Sequence, residues 1–407
     1  MSWELKKLDD CLELITYGFT NPMPDTDTGP WKVTAKDVVN GRIDFSTARH
    51  TSEEAFENEL TDKSRPIKDD ILLTKDGTLG RLAIVHDEKI CINQSVALLR
   101  VNKDILLPKY LYYLLLTPEY QGKMLADAGG ATIKHIYITR VNQLMIPVPA
   151  MSVQKRIVDI ISAYDVCIDN NDKQIKLLEE AAQRLYKEWF VDLHFPGYEN
   201  TSIVDGVPNG WTSVTLNDVI SKITTGLNPR KNFVLGNGKN YYVTIKNMGD
   251  NNIYLDEKCD KVDDEAIIKI NKRSDLQIGD ILFSGIGTMG RVYLIHIPTD
   301  NWNVSESVFT MRANEKISKE FLYLMLLSPK VQGYCDTHAH GVAQRGIRMA
   351  DLKEYPFNLP SKDIIVSFTD KVKPLIEKVQ TLQKMNVILT EARDRLLPKL
   401  MSGEIEV

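Results

Sequence analysis

The chain has 407 residues, a hydrophobic fraction of 43%, a charged fraction of 26% and a formal net charge of −5. This composition is typical of a globular protein and excludes a disordered chain, and the length suggests about two to four domains. The 5 cysteines include no C-x-x-C pair, which argues against a zinc site or a disulfide framework. No apolar stretch approaches the roughly 20 residues of a membrane span, and the N-terminal residues show no signal-peptide pattern, so we expect a cytoplasmic protein.

Residues 1–150 combine short β-branched runs, glycine turns and one or two helices. The segment "DILLTKDGTLGRLAIV" from Asp70 predicts a strand, a glycine turn and a second strand. The segment "KYLYYLLLTPEYQGKML" from Lys109 predicts helix. This mixture indicates a module of the α+β class.

A long helix is predicted over residues 151–195, and a linker follows it. Apolar side chains recur there at alternating steps of four and three, as in a coiled-coil seam. Asn171 is the one polar residue of this stripe. The apolar positions are Ile161, Tyr164, Ile168, Ile175, Leu178, Ala182, Leu185 and Trp189. Residues 196–210 are rich in proline and glycine, which predicts a linker that turns the chain back.

Residues 211–360 repeat residues 1–150. The segment "WELKKLDDCLELITYG" from Trp3 aligns with "WTSVTLNDVISKITTG" from Trp211, and "DILLTKDGTLGRLAIV" aligns with "DILFSGIGTMGRVYLI" from Asp280. "QSVALLRVN" matches "ESVFTMRAN", and "GGATIKHI" from Gly129 matches "HGVAQRGI" from His340. The matches keep their order and nearly constant spacing, which indicates an internal duplication.

Residues 361–407 hold a second long helix and a C-terminal tail. The apolar stripe continues at Phe368, Val372, Leu375, Val379, Leu382, Leu389, Leu396 and Leu400, interrupted by Asn386 and Arg393. We expect the two helices to pack as an antiparallel coiled coil, with the duplicated modules related by a pseudo-twofold axis. The alternative is two amphipathic helices packed on globular cores. The narrow stripe, which is continuous and present twice, favours pairing.

Gly285, Gly287 and Gly290 have the G-x-G-x-x-G spacing of a dinucleotide-binding loop. A phosphate loop must open a helix, whereas "RVYLIHI" after this motif predicts a strand. The first copy has Lys75 where the second has Gly285, so the complete motif is absent from one copy. We therefore interpret both segments as hairpin turns. No P-loop, nucleophile elbow or zinc helix occurs, and we predict no active site and no metal site.

The framework motifs resemble the specificity subunit of Type I restriction–modification systems. The resemblance rests on the twin D-I-L…G-T-x-G-R turns, on "LLEEAAQRLYKEWF" leading to "FPG", and on "RLLPKLMSGEIEV". It implies two target recognition domains, each binding one half of a bipartite site in double-stranded DNA. It also implies that the helices set the gap between half-sites and dock two methyltransferase subunits. Those partners would hold S-adenosylmethionine, restriction–translocase subunits would join the full complex, and this chain would need no cofactor.

Polar residues able to contact bases or phosphates cluster in the loops where the two copies differ. Lys and Arg suit guanine, and Asn and Gln suit adenine. From the resemblance and the repeat positions, the expected DNA-contacting residues of the first module are Thr34, Lys36, Lys75, Thr78, Arg81, Lys134 and His135. Those of the second module are Arg230, Lys231, Thr244, Lys246, Thr288, Arg291, Gln344, Arg345 and Arg348. Arg81 and Arg291 occupy equivalent positions, which favours phosphate binding or bracing of the turn over base contacts.

Two alternatives belong to other classes of protein. A duplicated coiled-coil protein can be a scaffold that joins two protein partners without binding DNA, and the nearly balanced charge of each module agrees with that. A fused restriction–methylation enzyme is disfavoured, because its catalytic motifs are missing. Asp76 and Lys75, beside the first glycine turn, are interpreted as turn and surface residues, because the other copy has Ile286 and Gly285 there.

Overall fold

The computed structural model describes residues 3–126, 135–230, 232–341 and 344–407. The first module contains β1 (Leu5–Lys7), β2 (Leu12–Tyr17), β3 (Thr26–Val33), β4 (Val38–Val39), β5 (Arg42–Ile43), β6 (Arg49–His50), α1 (Glu53–Asn58), β7 (Ile71–Thr74), β8 (Leu82–Ile84), β9 (Ile90–Ile92), β10 (Val96–Val101), α2 (Pro108–Leu116), α3 (Pro118–Ala126), α4 (Ile138–Val141) and β11 (Met145–Pro147). The next elements are the long helix α5 (Met151–Phe190), β12 (Ile203–Val204) and β13 (Val207–Pro208).

The second module begins after this segment and precedes the second long helix. Its elements are β14 (Thr212–Thr215), β15 (Ile220–Thr225), β16 (Asn240–Val243), β17 (Asp260–Val262), α6 (Asp264–Ser274), β18 (Ile281–Ser284), β19 (Val292–Leu294), β20 (Trp302–Val304), β21 (Val308–Ala313), α7 (Lys319–Leu327), α8 (Pro329–Thr337), α9 (Met349–Lys353) and β22 (Pro356–Leu359). The long helix α10 (Lys362–Met401) follows.

A four-stranded antiparallel sheet, in the order β2-β10-β7-β8, forms the centre of the first module. β10 lies between two neighbours, and its mainly apolar sequence "VALLRV" is buried except at the arginine. A second sheet has the order β6-β3-β9, in which β3 and β9 run parallel. Val33 and Ile92 from that sheet share a hydrophobic core with Leu72 and Leu98 from the first, so the two sheets pack face to face.

The second module repeats this arrangement. Its sheets have the orders β15-β21-β18-β19 and β17-β16-β20, and β16 runs parallel to β20 as β3 does to β9. The duplicated α+β fold predicted from the sequence is confirmed. The copies differ in the helix before the glycine hairpin: the first module has the six-residue α1 between β6 and β7, and the second has the eleven-residue α6 between β17 and β18.

The glycine motif of the second module lies in the turn between β18 and β19. These strands pair antiparallel, with Ile281 opposite Leu294. Gly287 and Gly290 have φ angles of +77° and +90°, in the left-handed region that side chains disfavour. A Cβ atom on Gly290 would lie only 2.0 Å from Oε1 of Gln332. A strand follows the turn, so the hairpin interpretation is confirmed and the nucleotide loop is wrong.

The chain divides into two compact units, and each long helix contributes to both. Unit 1 comprises Met1–Asn170 and Asn386–Val407, and unit 2 comprises Asn171–Met385. Both long helices have 40 residues, which corresponds to about 60 Å each.

The two helices pack on each other antiparallel inside each unit. In unit 1, Ile157 and Ile161 near the start of α5 share a core with Leu397 near the end of α10. In unit 2, Trp189 near the end of α5 shares a core with Phe368 near the start of α10. The predicted antiparallel pairing is therefore confirmed within each unit.

The buried surface of the helices is wider than the predicted seam, because they also pack on the modules. Tyr186 lies outside the predicted stripe, yet it is only 8% exposed. Its ring centroid lies 5.6 Å from that of Phe321 in α7 and 6.1 Å from that of Phe368 in α10. Helix pairing and packing on globular cores thus occur together rather than as alternatives.

The predicted linker contains a small hairpin. β12 and β13 pair antiparallel, with Val204 opposite Val207. Asp205 and Gly206 both have positive φ angles, of 49° and 77°. Two such residues form the type I′ turn that joins short antiparallel strands. The Asp-Gly dipeptide is the sequence signal for this hairpin, and the composition-based interpretation as a linker missed it.

Candidate nucleic-acid interface

Three segments that carry predicted DNA-contacting residues come together in the first module. Arg81 Nη1 donates a hydrogen bond to the carbonyl oxygen of Val38 at 3.1 Å, which joins the glycine turn to the turn after β3. The Ile136 N–H donates to the carbonyl oxygen of Lys75 at 2.9 Å, which joins the same turn to the loop before α4. We call these three segments the first turn–loop cluster: residues 34–38, 74–81 and 135–136.

The second module brings the equivalent segments together. Arg291 Nη1 donates to the carbonyl oxygens of Met248 and, at 3.4 Å, Ile245. The Gly287 N–H donates to the carbonyl oxygen of Arg345 at 2.8 Å. We call these segments the second turn–loop cluster: residues 244–248, 284–291 and 344–347. Arg81 and Arg291 therefore brace backbone carbonyls, as one of the two interpretations of their equivalent positions predicts.

A glutamine fastens each glycine turn to a helix. Gln121 Nε2 donates to the carbonyl oxygens of Gly80 at 3.0 Å and Leu115 at 2.8 Å. Gln332 makes the same two contacts in the second module, at 3.1 and 2.7 Å. Sequence reasoning missed both residues. The signal was available, because "TPEYQG" from Thr117 and "SPKVQG" from Ser328 carry the glutamine at the same position.

A charged group occupies the first turn–loop cluster. Asp76 accepts from Lys75 Nζ at 2.7 Å and lies 2.5 Å from Nδ1 of His135. Burial alone raises the pKa of Asp76, but the hydrogen bonds from Lys75 and His135 outweigh it, and the pKa lies below its ordinary value. The Lys75 ammonium also lies 5.2 Å from the ring centroid of Tyr17. Asp76 is thus a bridging residue, not the simple surface residue expected from the sequence.

The second module has a different polar group near its cluster. Asn228 Nδ2 donates to Glu306 Oε1 at 2.6 Å, and the Tyr242 hydroxyl donates to Glu306 Oε2 at 3.2 Å. Asn228 lies two residues before Arg230, so this contact holds the loop that carries Arg230. Sequence reasoning missed Glu306, because its partners lie far away in the chain.

The remaining predicted residues differ in how accessible their side chains are. The Thr34 hydroxyl donates to Asp37 Oδ2 at 2.7 Å and the Thr244 hydroxyl to Asn247 Oδ1 at 3.0 Å, so both threonines cap short turns. The exposed residues are Lys36, Thr78, Arg230, Lys246, Thr288, Gln344, Arg345 and Arg348. Lys134 and Lys231 lie outside the described residues.

Metal binding and membrane insertion find no structural support in the described parts of the chain. No group of three or more His, Cys, Asp or Glu side chains there is placed to hold a metal ion. His340 Nε2 instead lies 2.9 Å from Asp351 Oδ2. No helix among the described residues is both long and apolar enough to cross a bilayer.

Two copies of one scaffold that present different polar loops define a duplicated recognition protein. A family model described as the Type I restriction modification DNA specificity domain matches residues 2–180 and 208–388. The chain belongs to this family. The resemblance stated from the sequence and the inferred role as a DNA-specificity subunit are thereby confirmed.

Individual relatives agree with this assignment. The chain is 27% identical over its whole length to the Type I restriction enzyme MjaIX specificity subunit of Methanocaldococcus jannaschii, of which the match covers 94%. It is 26% identical to the HindI specificity subunit of Haemophilus influenzae, over 80% of this chain and 84% of the relative. The crystal structure of the Type-I restriction-modification S subunit from M. genitalium has the same fold, with a TM-score of 0.56 at 19% identity, covering 98% of this chain and 96% of that one.

Proposed function

We propose that each module binds one half of a bipartite site in double-stranded DNA. The helix pair would set the gap between the half-sites and dock two methyltransferase subunits, and restriction–translocase subunits would complete the assembly. Adenine methylation and cleavage would be carried out by those partners, in the cytoplasm, while this chain supplies the sequence specificity.

The observation that carries this proposal is the chemical difference between the two turn–loop clusters on one shared scaffold. Lys75, Asp76 and His135 form a charged group in the first cluster. The equivalent backbone positions of the second cluster hold Gly285, Ile286 and Gly346, since Ile286 pairs with Gly346 as Asp76 pairs with His135. Equivalent surfaces with different donors and acceptors are what two different base sequences require.

The proposed boundaries follow from this assignment. Residues 1–150 and 211–360 would be the recognition domains, residues 151–195 and 361–407 the spacer helices, and residues 196–210 the linker. The exposed residues of both clusters would contact bases or phosphates, while Arg81 and Arg291 would hold the loops in place.

A module exchange tests the proposal. Residues 1–150 are replaced by the equivalent segment of a relative with a different specificity, and methylation of a library of bipartite sites is measured with the methyltransferase partner. We expect one half-site to change and the other to persist. If both change together, independent recognition by each module is wrong. If the unmodified complex shows no salt-dependent DNA binding, a DNA-independent scaffold is the better description.

A further inference from the structure

The polar group of the first turn–loop cluster, Lys75, Asp76 and His135, has a fixed backbone. Asp76 and His135 pair as a short antiparallel bridge, and the Ile136 N–H donates to the carbonyl oxygen of Lys75 at 2.9 Å. The N–H groups of Lys75 and Asp76 both donate to the carbonyl oxygen of Ser95, at 2.9 and 3.3 Å. The three side chains therefore belong to two loops that backbone hydrogen bonds hold together.

The Asp76 carboxylate uses both of its oxygens inside this group. Oδ2 accepts from Lys75 Nζ at 2.7 Å, and Oδ1 lies 2.5 Å from Nδ1 of His135. Lys75 Nζ also donates to the carbonyl oxygen of Gln94 at 3.1 Å. The side chains of Lys75 and Asp76 are only 16% and 21% exposed. Their opposite charges compensate each other, so this carboxylate is compatible with a surface that faces DNA phosphates.

Asp76 determines which nitrogen of His135 carries a hydrogen. The pKa of Asp76 lies below its ordinary value, so at neutral pH the carboxylate is ionised and only accepts hydrogen bonds. Nδ1 must then be the donor, and in a neutral imidazole the other nitrogen, Nε2, is an acceptor. The His135 side chain is 40% exposed, and its Nε2 makes no hydrogen bond to any residue in the described part of the chain. One acceptor atom of defined chemical character is thus available at the surface of the first cluster.

The second module has different chemistry at these positions. Ile286 and Gly346 form the equivalent bridge, and Gly285 takes the place of Lys75. None of these three residues has a side chain that can donate or accept a hydrogen bond. The acceptor is therefore a property of the first module alone, and the second module serves as an internal reference in any measurement.

We propose that His135 Nε2 accepts a hydrogen bond from the exocyclic amino group of an adenine or a cytosine in the half-site of the first module, and that Asp76 is the positioning residue that keeps this nitrogen an acceptor. The N6 amino group of adenine and the N4 amino group of cytosine are the donors that these bases show in the major groove. Guanine and thymine show acceptors there, which the lone pair of Nε2 repels. This base preference rests on the proposed function, because it requires that the first module binds DNA.

The test is methylation of a DNA library by the complex with the methyltransferase partner, with every base pair of both half-sites varied in turn. The module exchange described above identifies the half-site of the first module. We expect the wild type to prefer adenine or cytosine at one position of that half-site. His135→Ala should reduce this preference about 2- to 10-fold, as for the loss of one hydrogen bond, and should leave the second half-site unchanged. A uniform loss over all positions of the first half-site would indicate a merely structural role and would overturn the proposal.

Three further variants separate the acceptor from other effects. Asp76→Ile introduces the residue that the second module has at the equivalent position, frees the imidazole to take either form and should relax the same position as His135→Ala. His135→Arg replaces the acceptor by donors at a partly exposed position and should favour guanine there. His86→Ala is the matched control, because this exposed histidine follows β8, at the end of the β7–β8 hairpin opposite the glycine turn. Its methylation profile should equal that of the wild type.

Two kinds of failure can be told apart. If both half-sites are still selected and His135→Ala or His135→Arg keeps the wild-type base preference, the contact by His135 is wrong while the proposed function stands. If Asp76→Ile folds and keeps that preference, Asp76 does not position the imidazole. A wild-type complex that selects no base in the first half-site would contradict the proposed function, and this contact with it.

Discussion

Arg100 holds Asp70 through two parallel hydrogen bonds, from Nε to Oδ1 at 2.9 Å and from Nη2 to Oδ2 at 2.7 Å. The Asp70 side chain is 2% exposed, and it also accepts the Ile67 N–H at 2.8 Å. Arg312 and Asp280 repeat the pair in the second module. Each pair thus closes the turn that leads into a central strand of its module.

Asp70→Asn should lower the free energy of unfolding by about 2–3 kcal/mol, because the substitution leaves a partly buried guanidinium without its charged partner. Asp280→Asn should have a smaller effect, since Arg312 also contacts Asp275 through its carbonyl oxygen at 2.9 Å and its carboxylate at 3.6 Å. Thermal or urea denaturation of the full chain measures both. Asp87→Asn is the control, because Asp87 is 81% exposed and its one ion pair with a described residue is the surface pair with Lys68. Wild-type stability of Asp70→Asn would show that the pair does not stabilise the turn.

The Asp76 group should give a pH-dependent contribution to stability. Its folded-state pKa is lowered by Lys75 and His135 against the effect of burial, so the stabilisation is present above the ordinary Asp pKa of about 3.9. It is lost as the pH falls through the lower folded-state pKa. The stability difference between wild type and Asp76→Asn should therefore shrink as the pH falls from 5 toward 3, measured by urea denaturation. A difference that stays constant over this range would contradict the assignment.

Arg345→Ala and Arg291→Ala should have different effects on DNA recognition. Arg345 is exposed, so its loss should relax recognition at one half-site by about 1–3 kcal/mol, as for a base contact. Arg291 braces the 244–248 turn, so its loss should weaken the second module for all sequences and lower its thermal stability. Methylation across a library of variant sites separates the two patterns. An Arg345→Ala profile identical to wild type would exclude a base contact by this residue.

If the helices set the gap between half-sites, their length should control it. Seven residues inserted after Asn171, with seven more after Asn386, preserve the heptad phase and add about 10 Å to each helix. The preferred gap should lengthen by about three base pairs at 3.4 Å each, with both half-sites unchanged. Methylation of sites with variable gaps measures this. Two-residue insertions serve as the control, because they put the apolar stripe out of phase and should prevent assembly.

The duplicated scaffold could be predicted because its signals are local and occur twice. The hairpin between β18 and β19 follows from the glycine positions and the β-branched residues around them. The first copy has Lys75 at the position of Gly285, and this difference excluded a nucleotide-binding loop. The helix stripe likewise follows from spacing alone. Tyr186 was missed, because its burial depends on Phe321 of α7, and the spacing of residues along one helix does not reveal contacts with another element.

The chemistry of the loops was only partly predictable. Lys75 and His135 were candidates from their residue types, but Asp76 acquires its role from a contact with a residue 59 positions away. The hydrogen bonds that join Arg393, Asp165 and Tyr113 in unit 1 have no counterpart in unit 2, where the equivalent positions on three different helices hold Ala182, Ile376 and Leu324. No single segment of the sequence contains that information, and only the comparison of equivalent positions in the two units makes it visible.

The division of each long helix between units affects how the protein is made. Unit 2 is one continuous stretch, whereas unit 1 needs residues 386–407, including the buried Leu397 and Leu400, to complete its core. During translation, the first module leaves the ribosome early. The apolar surface that these two leucines cover stays exposed until residues 171–407, almost 240 residues, have been synthesised. A premature stop codon after residue 385 would therefore damage the module that was translated first, while the later one is complete.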